Sequence, residues 1–549
     1  MVQLDKSVIA ALAGASLFIV VAQVFVFRRL RPEIEEASSE WTPRPLRFRF
    51  ERLDAVSLGV LAVMTLLLWI GRGDFPPLPP DNLYHMRVVQ GIFAIHGIPY
   101  WDTWSFAPLG RPHLYPPLYH LLIAGLALLF RGDITAGFQS VQALSLPFVY
   151  GVTWYFARWL FDARRALMAL LLIGWDAGFI VLSYMSTPSA LAAAFAMLMA
   201  MAFLSGHVLA ASALGALAFY THMGSPVTIL TGLVVFCIWK RISPVRWVLL
   251  IALILVMIVP WYGRVFAFRD WFSHPIDAGV YGEHSAAMNA LLKLSWLQCI
   301  NVGLLLACVH SARFTRWRNA ENALLLCLIA VGLPSLISYG GRFFGTALPI
   351  LAIVAARLFA PLLQRPISVR RALACACLAL SPTVLLMGTG TRMPPGPVPM
   401  MSGWFLPVAT ASGLLARLEH GEAVGQSPYK SAEQASAYIR EHLSARGTVY
   451  FFQNRDMALL VGYALNRPTD SGAWEETRPS KHALDLLERY ARIDASGVYI
   501  ALRKGLMPNG ATIEKSDGIY IGYWTSRPPS GPEAAARNRV PEEIRRRQR

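Results

Sequence analysis

Acidic residues are scarce in this chain: 33 Asp and Glu stand against 50 Lys and Arg, and charges of both signs occupy only 15% of 549 positions. A soluble domain carries about 25%. Hydrophobic residues reach 55%, mean hydropathy is +0.44, and nearly uncharged runs of membrane length recur along the chain. That is the composition of a polytopic membrane protein. Disulfides and zinc are also missing as organising devices. All six cysteines (Cys237, Cys299, Cys308, Cys327, Cys375 and Cys377) fall inside apolar segments as buried thiols, and Cys375-x-Cys377 points two sulfurs to different faces of a helix. There is no Walker, Rossmann or zinc-protease motif and no internal repeat. The formal charge of +17 would fit nucleic acid in a soluble protein, but most Lys and Arg sit in short connections between apolar runs. Topology accounts for them, and no nucleic-acid partner is expected.

What is present is a series of twelve expected helices: 7–27, 54–71, 138–158, 166–183, 187–204, 207–222, 224–239, 246–262, 291–310, 321–338, 342–363 and 370–389. The first has no small-residue cleavage site after it and reads as an anchor. The run Leu118 to Phe130 is apolar but too short to span about 30 Å as a helix, so it is expected to be re-entrant or interfacial. Excluding it gathers Arg28, Arg29, Arg31, Arg44, Arg47, Arg49 and Arg52 on the same face as Arg158, Arg164, Arg165, Lys240, Arg241, Arg246, Arg313, Arg316, Arg318, Arg365, Arg370 and Arg371, which the positive-inside rule makes cytoplasmic. The outer face then receives the loops 72–137 and 263–290 and everything after about residue 390.

The expected organisation is an anchor helix and basic loop (1–53), a transmembrane domain (54–390), an extracytoplasmic α/β domain (391–525) and a disordered basic tail (526–549). Gly and Pro fill a linker at 388–404. Beyond it, Ser431 with Gln434 forms a capping box ahead of a helix to about His442. Helices near 456–465 and 480–492 and strands at 448–452, 497–502 and 518–524 complete the domain.

Chemistry concentrates in the outer segments. In DNLYHMR, prolines force an extended exit from the second helix, and Asp81 then starts an amphipathic helix as its N-cap. Beyond capping, its carboxylate can bind a divalent cation or take a proton from an acceptor hydroxyl. Tyr84 and His85 lie within about one turn of it, and Arg87 offers a fork of donors to a phosphate. Thr187 followed by Pro188 is a strong helix start whose free amides either are capped or face an anion. Asp176 lies on the helix before it, an acid inside a membrane segment. Glu283 and His284 stand just before the next membrane helix, as a cap, a solvated rim or a second acid. Arg342 opens a membrane helix with no acid nearby in sequence, so it snorkels or grips an anion.

These pieces, in this order, are similar to motifs of the GT-C glycosyltransferase superfamily, most of all those of the oligosaccharyltransferase catalytic subunit. DNLYHMR resembles its D-x-Y-Y-H-M-R pattern and HLYPPLYHLL its Y-P-P-L-x-x-L-L continuation; RWLFDARRA resembles R-x-L-F-x-x-R-x-A, GEHSA resembles S-x-S-E-H-Q, and GGRFFGTALP resembles R-F-x-x-x-x-x-P. The similarity covers roughly residues 50–365. It implies a polytopic α-helical membrane protein of the GT-C type with about twelve transmembrane helices and a small C-terminal α/β domain. It also implies transfer of sugar from a polyprenyl-phosphate-linked donor to a glycan, lipid or protein acceptor at the outer face of the cytoplasmic membrane.

Asp81 and Glu283 would be the catalytic acids and the ligands of a divalent cation, Mg2+ or Mn2+. Tyr84, His85, Arg87, Thr187, His284 and Arg342 would contact substrate, Arg342 through the lipid phosphate. Two departures stand out. The usual second-loop acidic pair is replaced by Ser186, Thr187, Pro188 and Ser189, and the W-W-D-Y-G sequence is missing, WEETR at Trp474 being no substitute. Both argue against protein N-glycosylation as the family practises it. The alternatives are an oligosaccharyltransferase with a diverged metal site, and a non-catalytic scaffold or transporter of lipid-linked glycans. Transporters place polar residues at mid-membrane, often in paired repeats, whereas these acids and arginines cluster at one surface.

Overall fold

The structure is a computed structural model and describes residues 20–28, 30, 40–74, 80–175, 187–272, 302–332, 340–363, 380–385, 396–401, 428–443, 447–451, 455–470, 485, 487, 490, 494, 496–501, 507–508, 511–516 and 519–525. In chain order the helices are α1 (20–28), α2 (Arg52–Ile70), α3 (Pro80–Ile95), α4 (Leu118–Leu129), α5 (Ile134–Leu160), α6 (Ala163–Trp175), α7 (Thr187–Leu204), α8 (Val208–Thr221), α9 (Ser225–Trp239), α10 (Pro244–Ala267), α11 (Val302–Arg313), α12 (Ala320–Gly332), α13 (Gly340–Phe359), α14 (Pro428–His442) and α15 (Arg455–Leu465). The strands are β1 (Trp101–Asp102), β2 (Arg111–Pro112), β3 (Leu380–Leu385), β4 (Gly396–Met401), β5 (Val449–Phe451), β6 (Val498–Ala501), β7 (Thr512–Ser516) and β8 (Ile519–Tyr523).

Among the described residues, three helices are long and apolar enough to cross a membrane, or four if α4 and α5 count as one bent span. Shorter apolar helices accompany them at α7, α8, α9 and α12. On α2, Val56, Leu58, Val63, Leu66 and Ile70 all point outward, and Val245, Val248, Leu249, Val256 and Val259 do so on α10. Apolar faces of that extent are stable in hydrocarbon and a liability in water. The chain is a polytopic helical membrane protein.

Two compact units divide it. The first contains Met1–Phe75, Gln139–Trp261 and Glu283–Glu419. Small residues set its packing: a Cβ on Gly232 of α9 would lie 2.9 Å from the Leu328 backbone of α12, so the two helices meet there backbone to backbone. Cys237, Cys308 and Cys327 are free and buried, as expected, while the other three cysteines lie outside the described residues. The segment before α2 runs across one end of this unit. Trp41 donates to the Leu204 carbonyl at 3.4 Å, Arg44 to that of Leu160 at 2.6 Å, and Tyr155 to that of Leu46 at 2.7 Å. Arg158 pairs with buried Asp54 at 2.9 Å and Glu51 at 2.8 Å, Arg44 pairs with Glu321, and Lys240 donates to the Arg318 carbonyl at 2.8 Å. Of the basic connections that the sequence assigns to one face, those carrying Arg44, Arg49 and Arg158 meet at one end of this unit, as do those carrying Lys240 and Arg318, while Arg29, Arg31, Arg365, Arg370 and Arg371 lie outside the described residues.

The second unit contains Pro76–Phe138, Tyr262–Gly282 and His420–Arg549. Its sheet runs β5-β6-β8-β7, with β5 and β6 parallel and the other pairs antiparallel. Alternation sorts its side chains: Val449, Phe451, Val498 and Ile500 join Ile439 of α14 and Leu443 just beyond it in one core, while Tyr450, Tyr499 and Trp524 face the other way. The first polar segment is stitched onto this sheet. Thr469 bridges β5 in parallel, and its backbone also exchanges hydrogen bonds with the Trp104–Ala107 turn, at 2.9 Å to the Trp104 carbonyl and 2.8 Å from the Ala107 amide.

Several expectations need correction. The helix placed at 370–389 is a strand over its described part, β3, paired antiparallel with β4. Pro382 has no N–H and its ring would strike a carbonyl one turn back, whereas a two-stranded ribbon leaves it an unpaired side. β4 lies in what reads as a linker. Helix α14 begins at Pro428, so Ser431 and Gln434 lie inside it rather than ahead of it; proline is preorganised for the first helical position. Strand β7 was not expected. Residues 7–19, 176–183, 291–301, 333–338 and 526–549, and Asp176 with them, lie outside the described residues.

Candidate functional site in the first polar segment

Helix α3 begins at Pro80, so Asp81 occupies its first turn rather than preceding it as a cap. From Asn82 to Val89 every residue is buried, the polar ones included. Buried polar groups need partners, and the next turns of chain supply them. Tyr84 Oη and His113 Nδ1 share a hydrogen bond of 2.9 Å, and His85 Nδ1 shares one of 2.9 Å with His120 Nε2 on α4. Tyr115 and Tyr119 pack edge-on against His85, each with ring centroids 4.9 Å away. The product is a closed cluster of three imidazoles and three phenols beneath the start of α3.

A buried ion pair braces it. Arg111 Nε donates to Asp102 Oδ2 at 2.9 Å, with side-chain exposures of 1% and 0%, and the other Asp102 oxygen accepts the amides of Trp104 and Ser105 at 3.2 and 2.8 Å. The Arg111 guanidinium also lies over the Tyr84 and Phe106 rings, 5.4 and 5.2 Å from their centroids. Gly110 carries a φ of +68° between these partners, and a Cβ there would strike Trp101. Arg87 turns elsewhere. Its donors go to Gln90 Oε1 at 2.6 Å, Asn466 Oδ1 at 3.3 Å and the Arg467 carbonyl at 2.7 Å, tying α3 to the end of α15. Burial pulls its pKa down to about 10, against the nearby charges of Asp102 and Tyr463.

Burial holds both His85 and His113 down to about 3, the charges of Arg111 and Arg264 adding to the effect at His113. These imidazoles are neutral at any physiological pH. Below 6.5 the unfolded chain takes up protons that the folded pair refuses, so their contribution is whole above that pH and is lost as pH falls towards 3. At pH 5 the loss is about 2 kcal/mol for each. Thermal unfolding of the full-length protein should therefore move to lower temperature between pH 7 and pH 5; a flat profile contradicts a buried neutral pair.

The other expected site residues are placed by backbone only or lie outside. Helix α7 starts at Thr187 with Pro188 next, and Arg342 lies in the first turn of α13, both as read from the sequence. The side chains of Asp81, Thr187 and Arg342 and the whole of Glu283 and His284 are outside the described residues. Among the described residues no group of three or more His, Cys, Asp or Glu side chains is arranged to hold a metal ion. Sequence reasoning missed Asp102, Arg111, His113, Tyr115, Tyr119 and His120. The spacing of Asp102 ahead of Trp104 and Ser105 is a local turn signal, but nothing local pairs His85 with His120.

The fold that carries this segment is shared with solved structures. The chain is similar to the crystal structure of ArnT from Cupriavidus metallidurans bound to undecaprenyl phosphate, with a TM-score of 0.57 and 16% identity over 87% of this chain and 99% of that one. The apo form of the same protein gives 0.57 and 15% over the same shares. The archaeal oligosaccharyltransferase AglB from Archaeoglobus fulgidus, in complex with an inhibitory peptide and a dolichol-phosphate, gives 0.41 and 13% over 81% and 69%. No protein-family model and no curated protein matches the sequence.

Proposed function

We propose that this protein is a membrane glycosyltransferase that moves a sugar from a polyprenyl-phosphate-linked donor to a glycan, lipid or protein acceptor at the outer face of the cytoplasmic membrane. The observation that carries the reading is the fold shared, along nearly the full length of both chains, with a protein crystallised on undecaprenyl phosphate. In this reaction the Asp81 carboxylate takes the proton of the acceptor hydroxyl, whose oxygen attacks the anomeric carbon. The bond from that carbon to the phosphate oxygen breaks, and polyprenyl phosphate leaves. Charge grows on the phosphate as it departs, so neutralising it is the largest electrostatic demand. Arg342 meets that demand, and Glu283 orients the acceptor, with Thr187 and His284 alongside. Tyr84, His85 and Arg87 act as positioning residues, holding the helix whose first turn carries Asp81. Mg2+ or Mn2+ held by Asp81 and Glu283 would supply further neutralisation of the departing phosphate.

The test is reconstitution of the full-length protein in lipid with synthetic polyprenyl-phosphate sugars. Release of polyprenyl phosphate together with sugar on an acceptor fraction is expected, and Arg342→Gln should weaken use of the donor by about 10-fold to 100-fold, the loss of one charged hydrogen-bonded contact. Absence of both binding and turnover across polyprenyl-phosphate sugars overturns the reading.

A further inference from the structure

The basic end of the first unit contains a second feature, built from residues other than those proposed for sugar transfer. Helix α9 stops at Trp239, Arg241 takes a left-handed φ of 51°, and Pro244 starts α10, so the chain reverses within four residues. Lys240, Arg241 and Arg246 thereby face one cavity of about 210 Å3, with Trp41, Phe203 and Ser243 among its other walls. Arg246 is set in place by a 3.3 Å hydrogen bond to the Phe203 carbonyl and by stacking 5.5 Å from the Phe203 ring. None of the residues lining the cavity is acidic. Together with Lys240, whose Nζ also donates to the Arg318 carbonyl at 2.8 Å, the two arginines concentrate positive potential around one space, and the first turn of α10 adds its dipole to the same field.

Two observations identify the anion. The space is smaller than the roughly 300 Å3 at which pockets for drug-sized ligands begin, which suits a single phosphate group. Its surroundings are apolar: Ile238 and Trp239 at the end of α9 and Val245, Val248 and Leu249 on α10 are 61, 45, 73, 50 and 46% exposed. Those side chains offer a surface to acyl chains beside a headgroup pocket, the arrangement in which basic recesses between membrane helices hold anionic lipid headgroups. We propose that this cavity binds the phosphate headgroup of an anionic phospholipid.

Native mass spectrometry of the full-length protein in detergent, titrated with phosphatidylglycerol or phosphatidylcholine, tests this. Phosphatidylglycerol should bind at least about tenfold more tightly, because only its headgroup brings a net negative charge to the cations. The R241Q/R246Q variant should bring it down to the phosphatidylcholine level. Because Arg246 also braces Phe203, R241Q alone serves as the second variant: Arg241 is exposed at its turn, and a severalfold loss is expected with an unchanged melting temperature. Equal binding of the two lipids, or undiminished phosphatidylglycerol binding by R241Q and R241Q/R246Q, overturns the proposal. Displacement of the lipid by millimolar inorganic phosphate also overturns it, since the cavity would then be a site for a soluble anion.

Discussion

Asp81→Asn should lower sugar transfer by the reconstituted protein by about 10^2-fold to 10^4-fold, the range that a positioned general base contributes. Asparagine matches aspartate in size and suits the start of a helix nearly as well, so α3 and the cluster beneath it are expected to stay intact. The melting temperature should remain within a degree or two of the parent. The substitution removes the carboxylate's charge and its ability to accept a proton while keeping its capping oxygen, which separates a chemical role from a capping one. Transfer at the parental rate to the true acceptor would remove Asp81 from the mechanism. A lower melting temperature with proportionate loss of transfer would return the residue to a structural role.

The largest effect on stability is expected at Asp102. In Asp102→Ala the Arg111 guanidinium stays inside the second unit without its carboxylate, and the amides of Trp104 and Ser105 lose their acceptor. Breaking one side of a buried pair costs about 3–5 kcal/mol, enough to unfold many domains. The double variant D102L/R111M removes both charges at similar volume and should recover part of that loss. Unfolding midpoints of the parent, single and double variants measure it; a single variant as stable as the parent would mean that the pair carries no weight.

The membrane helices were legible because each is a local signal. Apolar runs of sufficient length placed α2 and α7 to α10 within a few residues of their bounds, and the shortness of Leu118–Leu129 set α4 apart. The same criterion misread β3, where an apolar run of helix length carries Pro382 and the β-branched pair Thr383 and Val384. Strand β7 escaped for the opposite reason. Among the described residues it is an edge strand paired with β8, and Thr512–Ser516 carries little of the apolar alternation that marks a strand with one buried face.

Of the candidate site, the sequence offered the residues on one short helix and could not show what they rest on. Tyr84 meets His113 across 29 positions and His85 meets His120 across 35, separations at which no periodicity connects two residues. Arg87 shows the limit most clearly. Its type and its neighbourhood suit a phosphate, while its donors are directed to Gln90, Asn466 and Arg467. Residue type narrows the chemistry, but only the fold decides which acceptor receives it.

The seam between Thr469 and the Trp104–Ala107 turn has a consequence for how the protein is made. Its partners are separated by 365 positions, and those of Arg87 by as many as 380. At about 5–20 residues per second of synthesis, the first polar segment emerges roughly 20–70 s before the residue that completes its pairing. Through that interval its backbone donors and buried-type histidines must be held by water or by a chaperone, so this early segment matures last. Its slow step is set by chain delivery and long-range loop closure rather than by local helix formation.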